Sequence, residues 1–383
     1  MRNNSKKPRL VGLMNAHVPG ISGGDAWFIE VVKRFTGYEL TIMAPESGIL
    51  ECQNRGLENC EFCEVGGRGK IRNVLLNYIL RTLVAAGIWK RLNADVVYAS
   101  SDFFPDVLPA LFYKLIHPKS LWVQKVYHLA PRRRFHAWML QKISHIAISW
   151  KADLVLVDNR DIAQKLSHFG CRSVYVCRPG VAMSDDESNK SLDNGPRCGA
   201  VYSGRIHAAK GIEELLEVWS LVHNCVPGAI LSIMGTGEDG YLGEVKTLVE
   251  VLGIADVVHF VGYLYPDAVF EMLRSSIVCV TASREEGYGL AVMEALACET
   301  PVVCWDIPAF KEAFGDSVIS VAEGDKVTFS KKVVELIQDE DILSAAQDVI
   351  RDKFRVSSWQ VSAEYEESLI DLRRRQVGGQ LSK

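Results

Sequence analysis

The feature that most constrains the fold of this chain is an alternation of short apolar runs with longer periodic segments, which occurs twice. Runs such as RLVGLMN (9–15) and YELTIMAP (38–45) alternate with segments whose apolar residues recur at helical spacing. The pattern restarts at CGAVYSG (198–204) and continues to PVVCW (301–305). Further strands are predicted at 94–100, 120–128, 152–158, 173–180, 229–235, 257–262 and 277–282. Strands that alternate with helices form parallel sheets covered by helices, so we predict an α/β chain with two doubly wound, Rossmann-like domains.

A polar stretch separates the two halves of the pattern. MSDDESNKSLDNGP (183–196) is rich in Ser, Asp, Asn and Gly and has almost nothing to bury, which is typical of a linker. We therefore predict a first domain at 1–182 and a second at 197–357, with a last helix within 358–383 packing back on the first domain. Ligands of such sheets bind at the carboxyl ends of the strands.

Composition sets the broad class of the protein. The 383 residues suffice for two domains, and a net charge of −4 gives no global case for binding nucleic acid. The charge is uneven, however, because residues 65–152 contain fourteen Lys or Arg and three acids, a net charge of +11. This asymmetry predicts an anionic partner for the first half. The ten cysteines have irregular spacings, with one CxxC at Cys60 and Cys63, which favours reduced thiols over a zinc site.

The segment 130–153 concentrates basic and aromatic residues. Arg132–Arg134 precede Phe135, Trp138 and Trp150, and no acid lies between Arg132 and Ala152. This mixture suits a helix at the interface of an anionic membrane. The alternative is an ordinary helix whose apolar residues belong to the core. The polar N-terminus shows no signal peptide, and no apolar run is long enough to span a membrane, so we expect a cytoplasmic protein, peripheral on the inner membrane face.

The stretch TASREEGYGLAVMEALACETPVV (281–303) is the strongest candidate site. Glu286 and Glu294 flank a Gly287-Tyr288-Gly289 turn, and a helix is predicted to start near Leu290. Glycines let the backbone approach a ligand, and the N–H groups at a helix start suit a phosphate. Carboxylates accept hydrogen bonds from sugar hydroxyls, although an acid before a helix is also explained by the helix dipole alone.

Three further constellations follow predicted strands. In SGRIHAAKGIEEL (203–215), Arg205 and Lys210 surround a loop and could clamp a diphosphate. In HVPGISGGDAW (17–27), glycines connect the first strand to the first helix, but the spacing fits neither GxGxxG nor a Walker A loop. His128 ends the strand WVQKVYH, where a lone histidine is more often structural than catalytic.

Taken together, these motifs resemble glycosyltransferase family 4, the retaining GT-B enzymes that use nucleotide-sugar donors. The order is a Gly-Gly loop, a mid-domain His, G-R…K-G, and E-x7-E followed by A-L-A-x-x-x-P-V. The resemblance spans Leu10 to Trp359 and is most specific from Gly204 to Val303. It implies the GT-B fold, two Rossmann-like domains facing across a cleft, with an N-terminal acceptor domain and a C-terminal donor domain.

The resemblance implies a role for each acid and cation. Arg205 and Lys210 match the pair that holds the donor diphosphate. Glu294 matches the acid that binds the ribose hydroxyls, and Glu286 matches the acid at the donor sugar. His128 matches the histidine beside the reacting sugar, so the implied catalytic residues are Glu286, His128, Arg205 and Lys210.

The remaining implied donor contacts come mostly from backbone and apolar groups. Gly24 and Gly204 match loop glycines near the diphosphate. The turn Gly287, Tyr288, Gly289 and Leu290 should place N–H groups near the sugar and phosphate. Tyr263 and Leu264 lie where the family packs the nucleobase. The chain departs from the family pattern at Glu299, where a Gly usually ends the helix and a non-Gly residue is expected to strain the turn, and at Ala182, where an Asp is common.

The implied function is retaining transfer of a hexosyl group from a nucleotide-diphosphate sugar to an acceptor hydroxyl. The implied acceptor is a sugar, a glycolipid or a lipid-linked molecule, in cell-surface polysaccharide or glycolipid synthesis. No metal or other cofactor is expected, because Arg205, Lys210 and helix-end N–H groups would stabilise the leaving diphosphate. The alternatives are a GT-B type epimerase or phosphorylase, or a non-catalytic module that binds nucleotide sugars or membranes.

Overall fold

Two parallel β-sheets, one of seven strands and one of six, organise the chain. This computed structural model describes residues 7–17, 23–66, 74–88, 92–130, 132, 134–181 and 196–379. One unit runs to Pro179 and includes the chain from Trp359 onwards, and the other comprises Gly180–Ser358. The predicted α/β class with two doubly wound sheets is confirmed. Gly20, Arg133, Ala182 and the predicted linker up to residue 195 lie outside the described residues.

The first sheet has the strand order β3-β2-β1-β4-β5-β6-β7, with every neighbouring pair parallel. Its strands are β1 (Arg9–Leu13), β2 (Glu39–Ala44), β3 (Glu61–Glu64), β4 (Val96–Ala99), β5 (Leu121–Val126), β6 (Leu154–Val157) and β7 (Val174–Val176). Its helices are α1 (Gly23–Val32), α2 (Glu46–Asn54), α3 (Val74–Ile88), α4 (Phe104–Ile116), α5 (Phe135–Lys151) and α6 (Arg160–His168). The strand order reverses between β1 and β4, which makes their carboxyl ends the switch point of this sheet.

Helices α3, α4 and α5 lie side by side, because α4 contacts both of the others. Small buried residues on the three helices, Ala85, Ala110 and Ala147, belong to one apolar core with strand residues such as Val97 and Trp122. Within the described residues, none of the helices combines the length and the apolar character needed to cross a bilayer.

The second sheet has the order β10-β9-β8-β11-β12-β13 and is also parallel. Its strands are β8 (Ala200–Ser203), β9 (Leu231–Met234), β10 (Val258–Gly262), β11 (Val278–Thr281), β12 (Val302–Trp305) and β13 (Ile319–Val321). The helices of this unit are α7 (Ile212–Cys225), α8 (Asp239–Val251), α9 (Pro266–Ser275), α10 (Leu290–Ala297), α11 (Pro308–Phe314), α12 (Lys326–Gln338) and α13 (Glu340–Lys353). The switch point lies between β8 and β11.

A last helix, α14 (Trp359–Gly379), belongs to the first unit and is held there by a buried charge network. Glu366 is fully buried and forms an ion pair with the equally buried Lys125 of β5. The same carboxylate accepts hydrogen bonds from Trp27 Nε1 at 3.1 Å and from the Tyr98 hydroxyl at 2.5 Å. Buried ions need such partners, so removing one of them leaves an uncompensated charge.

The strain expected at Glu299 is present. Helix α10 ends at Ala297, and Glu299 has φ 53°, in the left-handed region that favours glycine. Its carboxylate accepts a hydrogen bond from Arg351 at 2.6 Å, and its carbonyl oxygen accepts one from Gln347 at 3.3 Å. These contacts with α13 hold the residue in its strained conformation.

Candidate active site

The loops that follow β8 and β11 form the candidate site of the second unit. The two strands are neighbours at the switch point, so their carboxyl ends open on the same edge of the sheet. Gly211 caps the N-terminus of α7 with φ 65°, and a Cβ there would lie 2.0 Å from the carbonyl oxygen of Ala282. Only glycine allows this approach, which brings the loop after β8 against the end of β11.

Lys210 and Glu286 form an ion pair at this edge. Lys210 Nζ lies 2.6 Å from Glu286 Oε1, and the two side chains are 23% and 17% exposed. Lys210 ends a 3₁₀ turn, Ala208–Lys210, at whose start His207 Nδ1 accepts a hydrogen bond from the N–H of Ala209. A cation and a carboxylate, each partly shielded from water, therefore stand together where a ligand of such a sheet binds.

Arg205 is exposed in the same loop as Lys210, and its backbone is held by a hydrogen bond. The buried Tyr202 hydroxyl donates to the carbonyl oxygen of Arg205 at 3.0 Å. Burial raises the pKa of Tyr202 well above its ordinary value, and the negative charge of Glu286 raises it further. Tyr202 therefore stays a neutral donor. Sequence reasoning did not single it out, because nothing distinguishes a tyrosine in a buried strand from an ordinary core residue.

The Gly-Tyr-Gly turn leads into α10 as predicted. Gly289 caps the helix with φ 98°, and a Cβ there would lie 2.6 Å from the Phe310 ring. Tyr288 is half-buried, with its ring centroid 5.5 Å from that of Phe314. Glu294 is half-buried one turn into α10, and Leu290 is the first residue of the helix. The three-residue turn Gly287–Gly289 thus connects Glu286 to the N-terminus of α10.

Two residues of the loop after β11 were missed in the sequence. Ser283 is buried and its Oγ donates to the carbonyl oxygen of Glu285 at 3.2 Å. Arg284 forms ion pairs with Glu214 of α7 and with Glu323. Together they fasten the segment that carries Glu286. No motif signals this role, since it depends on which helix the loop packs against.

Tyr263 and Leu264 follow β10, at the same edge but two strands away from β8. Tyr263 is 40% exposed, and its ring centroid lies 5.4 Å from that of Tyr265. Leu264 is half-buried and packs against the core. The two rings are nearly perpendicular, at 73°, so the face of a single ring beside the half-buried leucine could stack on a base.

The other predicted residues, Gly24 and His128, lie in the first unit. Gly24 is in the first turn of α1, where a Cβ would lie 2.7 Å from the Tyr127 ring, so its lack of a side chain has a packing reason. His128 is exposed two residues beyond the end of β5. Gln141 of α5 clamps this loop, because its Nε2 donates to the His128 carbonyl oxygen at 2.8 Å and its Oε1 accepts from the N–H of Ala130 at 2.7 Å.

A buried dyad supports Gln141 in turn. Asp102 Oδ2 accepts from Gln141 Nε2 at 2.8 Å and lies 2.8 Å from His145 Nε2. All three side chains are buried. The loop that carries His128 is thus positioned through α5 from the end of β4.

A buried acid lies at the switch point of the first sheet. Asp106 accepts hydrogen bonds from the N–H of Asn15 at 2.7 Å and from Ser101 Oγ at 2.5 Å. Complete burial raises its pKa to about 8, and the charge of Asp25 adds to the shift, against the lowering effect of these hydrogen bonds. Among the described residues, no group of three or more His, Cys, Asp or Glu is placed to hold a metal ion.

The model of the family "Glycosyl transferases group 1" matches residues 184–353. Two similar proteins are the D-inositol 3-phosphate glycosyltransferase of Geodermatophilus obscurus and the phosphatidyl-myo-inositol mannosyltransferase of Mycobacterium leprae. The first is 27% identical over 215 residues, which cover 51% of this chain and 48% of the relative. The second is 25% identical over 197 residues, which cover 50% of this chain and 49% of the relative. The chain thus spans about half the length of the curated relatives it matches.

Solved structures match over nearly the whole chain at low identity. Anabaena HepE in complex with UDP and glucose has a TM-score of 0.75 at 16% identity, with 95% of this chain and 99% of that chain covered. WaaG, a glycosyltransferase involved in lipopolysaccharide biosynthesis, has a TM-score of 0.73 at 12% identity, with 94% and 99% covered. These likenesses show the fold. Over residues 184–353 the chain is therefore similar to the group 1 glycosyltransferases, as the sequence resemblance implied, and the chain has the GT-B fold.

Proposed function

We propose that the chain is a retaining glycosyltransferase that moves a sugar from a nucleotide-diphosphate sugar to an acceptor hydroxyl. The observation that carries this proposal is the Lys210–Glu286 pair at the carboxyl edge of β8 and β11. It places a cation suited to a diphosphate beside an acid suited to sugar hydroxyls, in front of a helix N-terminus. The family match supports the same reaction, and the HepE structures contain UDP or UDP-glucose.

In the proposed reaction, the bond between the anomeric carbon and the diphosphate oxygen breaks, and its electron pair leaves with the diphosphate. Arg205, Lys210 and the N–H groups at the start of α10 stabilise the growing negative charge. The acceptor oxygen bonds to the anomeric carbon on the same face, and its proton passes to a donor phosphate oxygen. The cations and N–H groups supply the charge compensation, so the proposal requires no metal or other cofactor.

The remaining residues bind and orient the donor in this proposal. Glu294 accepts from the ribose hydroxyls, and Glu286 accepts from hydroxyls of the transferred sugar. Tyr263 and Leu264 pack the base. Gly204, the turn from Gly287 to Leu290 and Gly24 complete the donor contacts, and His128 acts beside the reacting sugar.

We further propose an acceptor that is a sugar, a glycolipid or a lipid-linked molecule, and a cytoplasmic protein peripheral on the membrane through residues 130–153. Six large apolar side chains of α5 support this, because they are exposed, whereas Ala147 and Ile148 of the same helix are buried. The M. leprae relative is named as a phosphatidyl-myo-inositol mannosyltransferase.

The test is a turnover assay over a panel of nucleotide sugars with glycosyl acceptors. A transferase releases nucleoside diphosphate in proportion to a new glycoside, and NMR of the product should show the donor's anomeric configuration. An inverted anomer would refute retention. Conversion of the donor sugar without acceptor would favour an epimerase, release of sugar phosphate a phosphorylase, and binding without turnover a non-catalytic module.

A further inference from the structure

Helix α5 buries three polar residues beside Ala147 and Ile148, while its large apolar side chains are exposed, the reverse of the usual arrangement at a protein surface. Gln141, Ser144 and His145 are buried among the groups that hold the His128 loop. The large apolar side chains exposed by 40% or more are Phe135, Met139, Leu140, Ile143, Ile146 and Trp150. These six side chains are therefore not core residues, whereas Ala147 and Ile148 are.

Helices α3 and α4 extend the same apolar surface. Leu76, Ile79 and Leu83 are exposed on α3, at spacings of three and four residues. On α4 the exposed side chains are Leu108, Phe112, Leu115 and Ile116, again on one stripe. Because α4 contacts both α3 and α5, the three stripes belong to neighbouring helices. We call this set the three-helix face.

The charge of the three-helix face has one sign. Helices α3, α4 and α5 contain a single acid, Asp106, and it is fully buried. The exposed or half-exposed cations on or beside the face include Arg132, Arg134, Lys142 and Lys151. Three of them lie over aromatic rings: Arg132 at 5.9 Å from the Trp138 centroid, Lys142 at 4.7 Å from Phe169, and Lys151 at 4.6 Å from Trp150. Lys114 of α4 is neutralised by Asp153, just beyond α5, at 2.7 Å.

We propose that the whole three-helix face, rather than α5 alone, is the surface on which the first unit docks to an anionic lipid bilayer. A monomeric protein seldom exposes a contiguous apolar patch of more than a few hundred Å² without a partner. An anionic bilayer offers an apolar interior together with acidic headgroups over an area as broad as three helices, which complements this face. Apolar side chains would enter the acyl boundary while the cations meet anionic headgroups, with Trp150 at the interface between them.

The test is cosedimentation of the full chain with phosphatidylcholine vesicles of rising phosphatidylglycerol content, at low and high salt. We expect binding that rises with anionic lipid and falls with salt. Leu83→Ser with Phe112→Ser, on α3 and α4, should weaken binding about 10–100-fold, and Ile143→Ser with Trp150→Ser on α5 should do the same. Arg132→Ala with Arg134→Ala should cost about 25-fold at low salt.

The matched control is Leu50→Ser with Leu372→Ser, which changes two equally exposed leucines on α2 and α14. It should bind vesicles like the wild type. The inference fails if the α3–α4 variant binds like the wild type, if binding ignores lipid charge, or if the wild type is a dimer that the α3–α4 variant dissociates. Vesicle binding needs neither donor nor acceptor, so its failure would leave the transferase proposal standing, and a failed transferase assay would not affect this result.

Discussion

Lys210 Nζ and Glu286 Oε1 lie 2.6 Å apart, although the two residues are separated by 76 positions in the chain. They meet because β8 and β11 are neighbours in the sheet and Gly211 lets the two loops touch. Each side chain is the counterion of the other. We expect an arriving diphosphate to take over the ammonium group and thereby release the carboxylate for sugar hydroxyls, so that the pair couples the two halves of the proposed donor site.

The first prediction concerns the cations. Arg205→Ala and Lys210→Ala should each reduce transfer about 10²–10³-fold, the usual loss when one preorganised charge donor is removed. The fold should persist, because both side chains lie at the surface edge of the sheet. Lys326→Ala is the control. Lys326, at the start of α12, also forms an ion pair with a glutamate of this unit, Glu217 of α7. Near-wild-type turnover in the Arg205/Lys210 double variant would refute the clamp.

The second prediction separates the two acids. Glu294→Gln should mainly weaken binding of the free nucleoside diphosphate, because its proposed partner is the ribose. Glu286→Gln should mainly lower turnover, since it meets the transferred sugar. Calorimetric titration and initial rates measure the two effects independently. If Glu294→Gln bound the nucleoside diphosphate as tightly as wild type, the ribose role would be wrong.

The third prediction identifies Gln141 as a positioning residue. Gln141→Ala leaves the His128 carbonyl and the Ala130 N–H without their side-chain partner. We expect kcat to fall about tenfold with the donor Kd unchanged, because the loop is misplaced rather than lost. Gln141→Glu should be worse, since it sets a second carboxylate against Asp102. Ser149→Ala on the same helix should leave kcat alone. Equal losses of kcat and thermal stability in all three variants would point to general damage instead.

The fourth prediction tests the strain at Glu299. Glycine at a left-handed position relieves about 1 kcal/mol, but Glu299→Gly also removes the partly exposed pair with Arg351, which is worth about 0–1 kcal/mol. In the Arg351→Ala background only the backbone effect remains, so Glu299→Gly should raise the free energy of unfolding by about 1 kcal/mol. Denaturant unfolding of wild type, Glu299→Gly, Arg351→Ala and the double variant measures this change in the free energy of unfolding. A lower stability in that background would show that the turn is unstrained.

The fifth prediction concerns the pH dependence of stability. In the folded chain the pKa of Asp106 is about 8, against 3.8 for an ordinary aspartate. Between these values the folded protein holds a proton that the unfolded chain has lost, so its free energy of unfolding falls as pH rises. Asp106→Asn cannot titrate. The free energy of unfolding of the variant should fall less steeply with pH than that of wild type. The difference between the two slopes should be about 1.4 kcal/mol per pH unit in this range. Parallel curves would refute the shift.

The sequence predicts the frame of the fold better than its edges. Buried central strands, such as β4 and β6, appear as continuous apolar runs and were found within a few residues of their ends. The edge strands β3 and β13 were missed, because they are short and only partly buried, so their residues carry no continuous apolar signal.

The sequence predicts the individual residues of the candidate site but not the contacts between them. The motifs around Arg205, Glu286 and Glu294 are local, so the sequence contains them. The Lys210–Glu286 contact depends on strand order, which the alternation of strands and helices does not specify. The orientation of α5 was equally hidden: its spacing defines a stripe, but only the buried partners of Gln141 decide which side faces the sheet.

The measurement that tests the central claim most directly is a thermal-shift panel of nucleoside diphosphates and their sugars, run on wild type and on Lys210→Ala. A ligand at 100 times its dissociation constant should stabilise the wild type by about 2.7 kcal/mol. The account predicts that at least one nucleoside diphosphate and its sugar raise the melting temperature, and that Lys210→Ala loses most of this shift while Lys326→Ala keeps it. A panel in which no nucleotide shifts the wild type, or in which Lys210→Ala responds as wild type does, would contradict a donor site at Lys210 and Glu286.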